Sequence, residues 1–327
     1  MTRLADIGER AAIEILSRIY DRGQPIGLGH DCGVVDWGDD YLVVTTDVVN
    51  QKTHLPAGAS ANLIGWYATA VNLSDIAAAG ARPLGFVAAL SLPASTDVEF
   101  LRGLGQGMEE CVRTFGIAVL GGDTKESDVL SIAGTAFGRV RKDRILLRTG
   151  AKPGDAIVVT GDLGRAGWAA KLLEQGTANR TEALSQLLRP FPRIAEGTFL
   201  SDSGAVTSCI DLSDGLGVSL AQLSGMTRLS YQIEYEAIPV YRGLTAFQPA
   251  VAKEVALYYG GDYELLATVR PDALGTLLER VGTSGRGMRL TVIGKVGPPG
   301  GNVLISKTGR EPFLPKGWEH FRSSAIR

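Results

Sequence analysis

Apolar residues at Leu4, Ile7, Ala11, Ile15, Leu16 and Ile19 recur at helical spacing and predict a helix over residues 4–20. The run from Leu42 to Thr46 predicts a strand that delivers Asp47 at its end. An alanine-rich stretch predicts a second helix over 60–80, with Asn72, Ser74 and Asp75 near its final turns. Leu84 to Leu92 reads as a strand closed by Pro93, Val98 to Phe115 as a helix, and Ile117 to Leu120 as a short strand. Gly121, Gly122, Asp123 and Thr124 then form the loop after it, and Leu130 to Arg139 a further strand.

Glycine and proline punctuate the chain at 148–155, which sets a domain boundary there: residues 1–147 form one domain and 148–327 the other. The second half opens with a strand from Ala156 to Thr160, a turn over 161–164 and a helix from about Ala166 to Glu174. Helical segments around 193–200 and 215–224 flank a strand from Thr207 to Leu212. Leu265 to Val269 and Leu290 to Val296 supply further strands. Alternation of this kind predicts two α/β domains.

Glycine is the compositional outlier, with 42 of 327 residues, or about 13% against an ordinary level of about 7%. No repeat accounts for it, so turns and ligand-facing loops are its expected positions. The 33 basic and 35 acidic residues give a net charge of −2, which argues against a nucleic-acid partner. The densest basic run, Arg139 to Arg144, reads as a solvated turn between strands. Three widely spaced cysteines without a C-x-x-C pair fit a reducing cytoplasm. Asp6, Glu9 and Arg10 interrupt any secretory leader, and the apolar run from Leu84 to Pro93 is too short for a bilayer, so no membrane partner is expected.

Two acidic motifs occur twice: Leu73-Ser74-Asp75 with Leu212-Ser213-Asp214, and Gly121-Gly122-Asp123 with Gly260-Gly261-Asp262. Small residues beside carboxylates let a backbone approach a ligand while oxygen ligands face a hard cation. Asp31, Asp47, Asp75, Asp123, Asp211 and Asp214 are therefore candidate Mg²⁺ ligands for phosphoryl transfer from a nucleotide. No P-loop or protein-kinase motif is present, and the glycine-rich run from Gly27 to Gly33 lacks the dinucleotide spacing. Thr45 and Thr46 offer hydroxyls for phosphate oxygens, and Arg148 offers either a phosphate clamp or a surface ion pair. His54 and Trp318 read equally as ligand contacts or as structural residues. His30 is set aside as a neighbour of Asp31, because imidazole is softer than Mg²⁺ prefers.

These motifs together resemble the thiamine-monophosphate kinase family, within the superfamily of aminoimidazole ribonucleotide synthetase. The matching stretches are His30-Asp31, Thr45 to Pro56, Asn72 to Gly85, Gly121 to Thr124, Arg148 to Asp155, Val159 to Gly164, Asp211 to Leu216, Gly260 to Leu266 and Gly317 to Phe321. The resemblance covers nearly the whole chain. It implies a two-domain PurM-like α/β (α+β) fold, a homodimer paired through its N-terminal sheets, and transfer of the ATP γ-phosphoryl to thiamine monophosphate with Mg²⁺. By the family's motifs, Asp31, Thr46, Asp47, Asp75, Asp123, Asp211 and Asp214 match metal positions. Thr45, Thr46, Gly122, Asp123, Arg148 and Ser213 match nucleotide contacts, and His54 and Trp318 match substrate contacts. Asp31, Asp75, Asp123, Asp214 and Arg148 carry the catalytic expectation. His30, Gln51 and Gly261 stand where the family usually has acidic residues.

Overall fold

The computed structural model describes residues 2–20, 23–24, 26, 28–176, 178–284 and 287–321, so Gly27 of the glycine-rich run lies outside the described residues. In chain order the elements are α1 (Leu4–Tyr20), β1 (Gly33–Trp37), β2 (Asp40–Asn50), α2 (Ala61–Ala78), β3 (Arg82–Leu92), α3 (Val98–Thr114), β4 (Val119–Glu126) and β5 (Ser131–Arg141). Then follow β6 (Ala156–Thr160), α4 (Arg165–Glu174), α5 (Arg180–Leu188), α6 (Ile194–Ser203), β7 (Val206–Asp211), α7 (Leu216–Thr227) and β8 (Leu229–Glu234). The chain continues with α8 (Pro249–Tyr258), β9 (Leu265–Val269), α9 (Pro271–Thr283), β10 (Leu290–Pro299), β11 (Val303–Ser306) and β12 (Gly309–Pro312).

The first five strands form one sheet in the order β1-β2-β5-β3-β4, antiparallel except for β3 with β4. The other seven form a sheet in the order β12-β11-β8-β10-β6-β9-β7, antiparallel except for β11 with β8. Predominantly antiparallel pairing departs from the parallel βαβ order that alternation alone suggests. The β6 sequence explains why the second sheet is covered on both sides: Ile157 and Val159 enter one apolar cluster with α7, while Val158 enters another with α6 and α9.

Helix α2 joins the two halves. It is buried nearly all round, against the first sheet, α3, α6 and β7. Polar groups inside such a helix need partners, and each has one. Thr69 donates to the Gly65 carbonyl, Asn72 to that of Ala68, and Ser74 to Asp211, while Asp75 accepts from Thr45.

Two local expectations are corrected. Asp47 lies inside β2, opposite Gly134, because the strand runs on to Asn50 in register with β5. Gly121 to Thr124 are not a loop but part of β4, in continuous register with Val87 to Leu90. Gly122 suits that strand because a Cβ there would overlap the Ala88 carbonyl. The repeated motifs also diverge: Asp75 is helical while Asp214 follows β7, and Asp123 is an exposed strand residue while Asp262 is buried in a loop.

Candidate functional site at the seam of the two sheets

A cavity of about 530 Å³ opens between the domains, lined by β2, α2, the loop after β7 and the C-terminal segment. Carboxylate oxygens of Asp31, Asp75 and Asp211 lie within 4.8 Å of one another. Thr45 Oγ1 donates to Asp75 Oδ2 at 2.5 Å and Ser74 Oγ to Asp211 Oδ2 at 2.6 Å, fixing two of the three. Asp47 shares the inner face of β2 with Thr45, and its backbone N–H donates to Asn72 Oδ1 at 3.1 Å. Asp47 and Asp214 line the cavity beside Asp75 and Asp211.

The turn carrying Asp211 to Asp214 is braced by the Gly260–Glu264 loop. Gly261 N–H donates to Ser213 O, Tyr263 N–H to Leu212 O and Leu212 N–H to Glu264 O. Gly261 holds φ at 96°, a region L side chains rarely adopt, so the glutamate expected from the resemblance has no counterpart there. Asp262 accepts from Gly164 and Ala166 N–H at 2.5 and 3.0 Å, capping α4, and Glu264 pairs with Arg193 and Thr160.

Arg148 holds Asp31 with two prongs, Nε to Oδ2 at 3.2 Å and an amino nitrogen to Oδ1 at 2.8 Å, and also donates to Gly29 O and Gln222. Its backbone N–H donates to His30 Nδ1, and burial lowers the His30 pKa, so this imidazole is a neutral acceptor beside the cluster. His54 is likewise neutral: burial, then His320, lowers its pKa to about 4. Asn50 N–H donates to its Nδ1, which leaves the ring proton on Nε2. His320 lies 5.2 Å from His54 and 5.5 Å from Trp318, ring to ring, so the three form an aromatic wall of the cavity.

Carboxylates outnumber cations here. Burial, then Asp31, pushes Asp211 up to about 8; burial, then Asp31 and Glu9, pushes Asp47 to about 6. Burial, then Glu9, pushes Asp214 to about 6, and Asp75 lies well above the ordinary range through burial and the neighbouring Asp47 and Asp211. Hard oxygen donors kept close at this cost suit Mg²⁺. Without a cation, these four carboxylates hold more protons folded than unfolded above the ordinary aspartate value of 3.8 and up to about 8, outnumbering His30 and His54, which hold fewer below 6.5. The chain's stability therefore falls as pH rises through that window. Thermal melts in chelator should show Tm falling from pH 5 to 8.5, with Mg²⁺ restoring it at the upper end. A Tm that climbs over the same range would contradict the assignment.

Not every sequence candidate reaches this cluster. Thr46 is on the outer face of the first sheet, donating to Gly134 O at 2.7 Å. Asp123 is exposed on edge strand β4 and paired with Lys125 at 3.2 Å; neither it nor Gly122 lines the cavity. For Asp123 the reason is strand alternation and register, since Val48, Ala133, Ala89 and Asp123 form one row across the outer face; Gly122 shares the inner row of Asp47, Gly134 and Ala88 but lies three strands from Asp47, on the sheet edge. Conversely, Glu9, Tyr67, Tyr263 and His320 line the cavity without having been singled out from sequence. For His320 and Tyr263 the signal lies in the Gly317–Phe321 and Gly260–Leu266 motifs; Glu9 and Tyr67 are brought in by long-range packing.

Two mixed sheets meet across a buried helix with an oxygen-rich cleft at their seam, and both halves match AIR synthase-related families. The family model described as "AIR synthase related protein, N-terminal domain" matches residues 29–140, and its C-terminal counterpart matches 152–307. A thiamine-monophosphate kinase of Pyrococcus horikoshii is 33% identical over 310 residues, covering 94% of this chain and 96% of that one. The solved structure of AaThiL complexed with AMPPCP and TMP superposes with a TM-score of 0.86 at 25% identity, over 98% of this chain and 99% of that one. The thiamine-monophosphate kinase of Stenotrophomonas maltophilia gives a TM-score of 0.76 at 32% identity, over 89% and 94%. The chain belongs to the thiamine-monophosphate kinase family.

Proposed function

We propose that this enzyme phosphorylates thiamine monophosphate to thiamine diphosphate by direct transfer of the ATP γ-phosphoryl in the cleft between its sheets. The observation that carries the reading is the adjacency, in one cavity, of the carboxylate cluster and the His54–His320–Trp318 wall. A phosphate monoester has its second pKa near 6, so the attacking oxygen is already ionised at neutral pH and no strong base is needed. The obstacle is repulsion between two anions. Asp31, Asp75 and Asp211, with Asp47 and Asp214 alongside, would hold Mg²⁺, which would supply charge neutralisation between the phosphates. Arg148 adds a fixed guanidinium beside Asp31, Ser213 lines the cavity for phosphate oxygens, Thr45 acts by holding Asp75 with its hydroxyl proton, and the Nε2–H of His54 orients the acceptor phosphate.

In this reading residues 1–147 supply most of the metal site and the dimer contact, and 148–327 complete the nucleotide and substrate site. A homodimer is favoured by the outer face of the first sheet, where Val48, Leu84 and Leu120 are exposed. Thr46 and Asp123 sit on that face, so pairing would bring them to the seam between protomers.

The reaction is tested by following ADP and thiamine diphosphate formation from ATP and thiamine monophosphate as Mg²⁺ is varied. Trp318→Ala should raise the KM for thiamine monophosphate about tenfold while the KM for ATP moves by less than about twofold, as loss of a stacking wall on one substrate requires. An equal rise in both constants would remove Trp318 from the acceptor site.

A further inference from the structure

We propose that Glu9 is a positioning residue for the acceptor pocket, its carboxylate clasping the C-terminal aromatic segment against the cavity. The proposal rests on the kinase reading for its substrate and on geometry for its contact. Helix α1 is broken at Gly8, which is buried with φ 78° and ψ 176°, so the helix axis is interrupted immediately before Glu9. Beyond the break, Ile13, Ile15, Leu16 and Ile19 are exposed, so apolar burial does little to place this part of the helix. Glu9 itself lines the cavity, and its Oε2 accepts from the backbone N–H of His320 at 3.1 Å, a contact between residues 311 positions apart.

The segment it holds has no regular secondary structure from Leu314 to Phe321. Trp318 N–H donates to the Asp214 carbonyl at 3.1 Å, so the two alternate N–H groups of Trp318 and His320 tie it at two points, one on each side of residue 319. The first tie fixes Trp318 to the turn that carries Asp214. The second fixes His320, whose ring bridges Trp318 and His54. Without the Glu9 acceptor the His320 end of the wall is released, while Trp318 keeps its own bond. A carboxylate acceptor makes this a charge-assisted bond, stronger than one to a neutral group. Glu9 thus reaches the acceptor wall through His320, while its charge also bears on Asp47 and Asp214; the alanine and glutamine variants remove that charge alike, so the difference between them isolates the clasp.

The test compares Glu9→Ala and Glu9→Gln with the parent enzyme by steady-state kinetics and by amide hydrogen exchange over the C-terminal segment. Glu9→Ala should raise the KM for thiamine monophosphate about tenfold, leave the KM for ATP within about twofold, and speed exchange at His320. Glu9→Gln keeps an acceptor oxygen and should restore both readouts most of the way. The proposal fails if Glu9→Ala leaves the acceptor KM or the exchange unchanged, if both KM values rise together, or if the glutamine variant is as impaired as the alanine one. Should the parent enzyme not turn over thiamine monophosphate, the substrate reading falls separately. The exchange comparison alone then decides the clasp.

Discussion

Asp75→Asn and Asp211→Asn are each expected to lower kcat roughly a thousandfold, the scale of several kcal/mol that a bound metal contributes to charge stabilisation. The fold should survive, because asparagine keeps the volume and an oxygen that can still accept from Thr45 or Ser74. Stability supplies the more telling sign. Both carboxylates are held with pKa values above the ordinary range by burial and by neighbouring acids, so each one removed relieves repulsion in the cation-free protein. The variants should therefore melt higher than the parent in chelator at pH 8, yet gain less from added Mg²⁺. A variant that loses activity and also melts lower in chelator would point to a structural role instead.

The second large effect concerns Arg148. Its side chain is 20% exposed and that of Asp31 only 3%, so Arg148→Ala strands a carboxylate in an already acidic pocket. Breaking a buried ion pair by removing one partner costs about 3–5 kcal/mol. Denaturant titration should register a loss of that order, accompanied by at least about a hundredfold fall in kcat/KM, since the same guanidinium offsets phosphate charge. Arg148→Lys keeps the charge but not the planar fork that meets both oxygens of Asp31 and also reaches Gly29 and Gln222. It should fall between the parent and the alanine variant in both measurements. Full activity in the lysine variant would reduce the role of Arg148 to a point charge.

Hydrophobic spacing was a good guide where an element buries a continuous face. Helices α2 and α3 and strands β3, β6, β9 and β10 sit where the apolar pattern predicts them; α1 also forms where the spacing places it, although it is broken at Gly8 and leaves Ile15, Leu16 and Ile19 exposed. It is silent on β1 and β12, short edge strands with much exposed surface, and also on the more buried β8 and β11 inside the second sheet. Helices α8 and α9 were also missed, although each opens on a proline at its first turn, a start signal that was there to be used.

The acidic site divides along the same line. Asp31, Asp75 and Asp211 are recognisable because carboxylates amid small residues on apolar elements are costly unless they serve a ligand. Which face of a strand a motif presents is another matter: Thr46 and Asp123 fit the family pattern yet point outward within one chain. Nor could spacing reveal that Glu9 meets His320, since that contact exists only once both ends of the chain converge on the cavity.

The central claim is direct transfer of the terminal phosphoryl of ATP to thiamine monophosphate. The most direct test is to incubate the purified protein with Mg²⁺, thiamine monophosphate and ATP labelled in its γ-phosphate, then separate the products. The label should appear in the terminal phosphate of thiamine diphosphate, with one ADP formed per labelled product and none of either without Mg²⁺. Label recovered only as free phosphate or pyrophosphate, with thiamine monophosphate unchanged, would contradict the account.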